Sequence, residues 1–138
     1  MIENERAALA KAYIEHYSNP HEWDKGMVLL KRDNSATQWA SDAILDLTYE
    51  NPEALWDFIL EVLQRDPPTE VIAVLAAGPL ENCLAKCGTK VIARVEDRAH
   101  SDPRFRSLLG GVWRNTMLEK VWARVQACWD RSEWDDGA

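Results

Sequence analysis

The sequence predicts an all-α protein, and three observations carry that prediction. Apolar residues recur at intervals of three and four along almost the whole chain. No stretch alternates apolar and polar residues as a half-buried strand does. Pro, Gly, Asn and Asp fall between the periodic segments, where helices need caps and stops. A length of 138 residues fits one domain with a core large enough to stand without staples. The expectation is a single compact domain over residues 1–131, of about six to eight helices. An acidic tail, 132–138, is expected to fray.

The first helix is expected from about Glu3 to Tyr17, with Leu9, Ala12, Tyr13 and Tyr17 on one face. Ser18-Asn19-Pro20 ends it, because the residue before a proline is pushed out of the helical region. Within 21–34, Trp23, Met27, Leu29 and Leu30 suit a short helix packed on the core, though a lid or loop fits the same residues. Asp33-Asn34-Ser35 supplies cap chemistry for a helix over about 36–50. Asn51-Pro52 is a helix start, with an Asn cap, Pro at the first helical position and Glu53 in the first turn. That helix carries Leu55, Trp56, Ile59, Leu60, Val62 and Leu63, and stops at Asp66-Pro67-Pro68.

Thr69-Glu70 opens the next helix, which Gly78-Pro79 interrupts. A short helix then runs to Cys87, where Gly88 stands as a C-cap glycine. Thr89 begins another, to about His100. Asp102-Pro103 opens one that breaks at Gly110-Gly111, a tight turn or a close approach between helices. The last helix spans about 117–131, with Leu118, Val121, Trp122, Val125 and Trp129 on its apolar face. A shift of 36 residues lays Asp66-Pro67 on Asp102-Pro103, and Leu55, Trp56, Ile59 and Leu63 on Val91, Ile92, Val95 and Ala99. That phase fits stacked helix pairs, as in a short α-solenoid, and fits an irregular bundle almost as well.

Charge is unevenly placed. The seven acids Asp33, Asp42, Asp46, Glu50, Glu53, Asp57 and Glu61 share 33–64 with no Lys or Arg, so that segment carries the whole net charge of −7. Asp42, Asp46 and Glu50 follow at intervals of four, as do Glu53, Asp57 and Glu61, which lines each trio along one helix face. Trp39, at 100° per residue, falls beside Asp46 and Glu50. An aromatic anchor among carboxylates suits a protein interface with a basic partner, and a merely solvated face has the same pattern. Lys90, Arg94, Arg98, Arg104 and Arg106 make the opposite charge, either paired locally with Glu96, Asp97 and Asp102 or available to an anion or to a second copy of the chain. Nucleic acid is not expected as a partner, since nothing aromatic interleaves those bases.

Two segments, Ala-Ala-Gly-Pro-Leu-Glu at 76–81 and Asp-Pro-Arg-Phe-Arg-Ser-Leu-Leu-Gly-Gly-Val-Trp-Arg at 102–114, resemble a bacterial family of short helical proteins with no assigned function. The resemblance covers roughly 36–130. It implies a bacterial origin and an all-α fold, and supplies no catalytic residues.

Chemistry-bearing motifs are scarce. The sequence holds no Gly-rich phosphate loop, no zinc-binding His pair and no serine elbow. Cys83 and Cys87 share a helix face, but no second pair completes a metal site, so no metal and no cofactor is expected. Acids stand where a signal peptide has bases, three Cys is an odd count for a disulfide framework, and no window nears the roughly 18 apolar residues of a membrane span. The expectation is a cytoplasmic protein with no membrane partner. It is read as a non-catalytic binding module, most specifically an immunity protein or antitoxin that neutralises a basic toxin or effector. The partner-binding residues of that reading are Trp39, Asp42, Asp46, Glu50, Glu53, Asp57 and Glu61. The alternatives are a self-associating structural protein, and an anion sensor or enzyme using Lys90, Arg94, Arg98, Arg104 and Arg106.

Overall fold

Helix α1 (Glu3–Ser18) turns Leu9, Ala10, Ala12, Tyr13 and His16 inward, as the spacing of its apolar residues requires. The computed structural model describes residues 3–18, 23–24, 27–28 and 37–135. Trp23–Asp24 (β1) and Met27–Val28 (β2) pair antiparallel, Trp23 opposite Val28. The short helix expected within 21–34 is therefore corrected at these four positions, which are extended and paired. The rest of that segment lies outside the described residues, as does the expected cap at Asp33-Asn34-Ser35.

Helix α2 (Gln38–Glu50) begins after Thr37, whose side chain makes no cap hydrogen bond. Its hydroxyl instead lies 2.9 Å from His16 Nδ1, so the entry to α2 is tied to α1. Helix α3 (Pro52–Gln64) starts as read from the sequence: the Asn51 side chain accepts a hydrogen bond from the Ala54 N–H, and Pro52 occupies the first turn. It buries Leu55, Trp56, Phe58, Ile59, Val62 and Leu63, and packs against α1 and α2. Tyr13 meets Phe58 edge to face at 5.3 Å.

Gly78-Pro79 does not end a helix. Helix α4 (Thr69–Leu75) passes through one π-helical turn, Ala76–Leu80, into α5 (Glu81–Ser101). A proline inside an α-helix loses one backbone hydrogen bond and clashes with the carbonyl four residues back. Widening the turn relieves the clash, and the Glu81 N–H reaches Ala76 O across it. By length and composition the run Thr69–Ser101 is long and apolar enough to cross a membrane, so the expectation that no window nears such a span is corrected here. Its Val71, Leu75, Leu80, Leu84, Val91 and Val95 are buried in this domain.

The helix break expected at Cys87-Gly88 is present, but Gly88 lacks the positive φ of a C-cap glycine. The chain kinks at Cys87 (φ −139°, ψ 33°) and continues. A Cβ on Gly88 would stand 2.8 Å from Val121 Cγ1, so glycine here admits the close approach of α7 (Glu119–Cys128). Asp102 caps α6 (Pro103–Leu109) by accepting from the Arg104 and Phe105 N–H groups. Phe105 meets Trp56 edge to face at 5.4 Å and joins α6 to α3.

Ser132–Asp135 form a short helix, α8, and the Trp134 indole N–H donates to Ser107 O at 2.7 Å. A Cβ on Gly111 would overlap the Trp134 ring and one on Gly110 would overlap the Asp130 carbonyl, so the glycine pair admits this C-terminal segment and seats the indole. Residues 136–138 lie outside the described residues. The shift of 36 residues is matched in the core, since Leu55, Trp56, Ile59 and Leu63 are buried, as are Val91, Ile92, Val95 and Ala99.

Candidate functional site: an acidic and aromatic helix face

The two acidic trios differ in their surroundings. On α3, Glu61 is ion-paired with Arg6 at 3.5 Å and with Arg65 at 3.1 Å. Glu53 pairs with Arg94 at 3.4 Å. Asp57 is exposed beside Arg6, with which it lines two shallow depressions. Arginines from α1 and α5 thus reach the α3 trio, which the sequence spacing alone leaves uncompensated.

On α2 the acids stand in the open. Asp42, Asp46 and Glu50 are exposed and make no ion pair among the described residues; Asp42 accepts only a long hydrogen bond from Gln38, at 3.4 Å. Trp39 lies among them, 48% exposed. Leu45 and Tyr49 join the same face at 57% and 67% exposure. Sequence reasoning missed these two. Their signal was available: both fall outside the phase set by the buried Ala40, Ile44 and Thr48. Lys86 of α5 sits over the Tyr49 ring, 4.8 Å from its centroid, and borders the face on one side. The outer surface of α2 therefore alternates large apolar side chains with carboxylates. Trp113 and Leu118 are also exposed, on the turn between α6 and α7.

The basic residues are largely engaged within the fold. Arg94 holds Glu53, and Arg98 holds Asp102 at 3.1 Å. Arg104 donates to Leu63 O at 2.6 Å and to Asp66 at 3.2 Å. Arg106 donates to Ala99 O at 2.9 Å. Lys90 is exposed without an ion pair among the described residues. A cleft of about 480 Å³ lies beside Arg104, but Asp66, Asp130 and Glu133 line it too. The Asp130 carboxyl is held below its ordinary range by hydrogen bonds from the Ser132 N–H and side chain, which keeps it anionic. Three carboxylates facing one guanidinium repel an anion.

No group of three or more His, Cys, Asp or Glu side chains spaced to hold a metal ion occurs among the described residues. The model of a family of unknown function (DUF6869) matches residues 29–133, a span that contains both segments whose resemblance was noted above. No curated protein and no solved structure matches the chain.

Proposed function

The chain belongs to a family of unknown function (DUF6869), and from that premise we propose that it is a non-catalytic protein-binding module whose docking surface is the outer face of α2. The partner is a basic protein, and the most specific form of the proposal is an immunity protein or antitoxin, acting in the cytoplasm, that masks a toxin or effector. One observation carries this reading. Trp39, Leu45 and Tyr49 are exposed together among Asp42, Asp46 and Glu50, three carboxylates with no ion pair among the described residues.

Burying large aromatics on a partner supplies affinity, while uncompensated charge speeds association and rejects wrong partners. An acidic surface of this kind suits a protein whose own site is basic because it binds phosphates. Glu53 and Glu61 contribute less to this surface than the sequence spacing implies, since their charge is already answered by Arg94, Arg6 and Arg65. Self-association of opposite faces and an anion site have weaker support, because Arg94, Arg98, Arg104 and Arg106 are engaged inside the fold.

The test is affinity capture from lysate of the source organism with the native chain, an Asp42→Lys, Asp46→Lys variant and an Asp57→Lys variant. The expected result is a basic protein held by the native chain and by Asp57→Lys, and lost by the α2 variant. A partner retained by the α2 variant sinks the assignment of this face.

A further inference from the structure

Cys83 and Cys87 stand one turn apart on α5 with their sulfurs 3.9 Å from each other. In a regular helix the Cβ atoms of such a pair lie about 5–6 Å apart, more than the roughly 3.5–4.5 Å of a disulfide. Here the backbone leaves helical geometry at Cys87 itself. The remaining approach of about 2 Å to a bonded pair falls where the helix is already kinked.

The two thiols are unlike. Cys83 is buried, 3.7 Å from Pro52 O at the start of α3. Cys87 is half-buried, with Lys90 and Arg94 on the following turns. The hydrogen bond from Cys83, aided by the charges of Lys90 and Arg94 and opposed by burial and Glu53, lowers the Cys87 thiol to about 7. The same hydrogen bond and burial push Cys83 up. Cys128 is half-buried like Cys87, but burial and Glu96 push its thiol up. The chain therefore carries its own control thiol.

We propose that Cys87 and Cys83 form a reversible dithiol site for hydroperoxides, with Cys87 as the attacking sulfur and Cys83 as the resolving one. The Cys87 thiolate attacks one oxygen of ROOH: an S–O bond forms, the O–O bond breaks, and RO⁻ leaves and takes up a proton. Cys87 is then a sulfenic acid and the peroxide is reduced to an alcohol, or to water from hydrogen peroxide. Cys83 attacks that sulfur; the S–S bond forms, the S–O bond breaks, and hydroxide leaves with the Cys83 proton as water. Both thiols are oxidised by two electrons in all, and a small thiol returns them by exchange. Because a regular helix opposes such a link, it is a labile one.

The experiment treats the native chain with hydrogen peroxide at pH 7 and maps each cysteine by mass spectrometry. Cys87 is expected to react roughly tenfold faster than Cys128, yielding an 83–87 disulfide that glutathione reverses. The alkylation rate of Cys87 is expected to rise as pH passes about 7 and then level, while that of Cys128 keeps climbing. In Cys83→Ala the sulfenic acid accumulates and is trapped by dimedone. Equal rates at Cys87 and Cys128, or oxidation of the native chain without an 83–87 link, overturn the proposal. These readouts need only the native chain, so a folding defect in Cys83→Ala leaves the test intact.

Discussion

At Tyr13 the side chain is fully buried, yet its hydroxyl has no hydrogen-bond partner among the described residues. A buried, unsatisfied hydroxyl costs about 1–3 kcal/mol. Burial and the nearby Tyr17 also hold this phenol well above its ordinary range. Tyr13→Phe is therefore expected to leave the fold intact and raise stability by up to about 1 kcal/mol in urea unfolding. A loss of stability would overturn the reading of an unsatisfied hydroxyl. Gly111 makes the opposite case. Any Cβ there overlaps the Trp134 ring, so Gly111→Ala is expected to lower stability by about 1–3 kcal/mol and to expose the indole, read as a red shift in fluorescence. In a Trp134→Ala background the same substitution costs much less, because the two changes remove one contact. Sequence reasoning offered a tight turn or a close approach at Gly110-Gly111. It could not choose between them, because the residue that fills the space comes from the far end of the chain.

The elements were legible where the cue is local. Asn51-Pro52 and Asp102-Pro103 open helices as read, and each cap side chain makes its hydrogen bonds. Asn51→Ala is expected to cost about 1 kcal/mol, measured by thermal unfolding. Within 69–101 the sequence locates both irregularities, at Gly78-Pro79 and at Cys87-Gly88, but not their form. Pro79 and Gly88 are poor helix residues, and the chain answers Pro79 with a π turn and uses Gly88, beside the kink at Cys87, to admit Val121. Packing overrides propensity when a neighbouring helix benefits from the irregularity. On α2, Asp46 stands one turn from both Asp42 and Glu50. Like charges so placed cost a few tenths of a kcal/mol per pair. Asp46→Lys is expected to stabilise the isolated domain by roughly 0.5 kcal/mol while weakening the proposed partner contact. A variant that gained or lost both together would argue for a merely structural α2.

For the whole molecule, the uneven charge seen along the sequence is softened in space. Acids of 53–61 and bases of 94–106 look like opposed poles when the chain is read in order. Folding brings α3 beside α5 and α1, so Arg94 reaches Glu53 and Arg6 reaches Glu61. The Arg94–Glu53 pair is exposed on both sides, and such pairs contribute little to stability, with a median of about 0–1 kcal/mol. Added salt is thus expected to change the midpoint of unfolding only slightly. Association with a basic partner is expected to slow roughly tenfold over the same salt range, since steering by the open α2 face is screened. Stopped-flow association rates alongside unfolding curves distinguish the two effects, and a salt-insensitive rate would remove α2 as the steering surface.

The sequence by itself determined the all-α class, the main helix starts and the paired buried positions in α3 and α5. Each depends on periodicity or on a side chain bonding to backbone a few residues away, and both are written within one turn or two. Only the tertiary structure decided which carboxylates remain unanswered, which glycines are seats for distant side chains, and that Leu45 and Tyr49 face outward beside Trp39. Those outcomes depend on which helices become neighbours. That choice is made by the summed packing of the whole core, and no single segment encodes it.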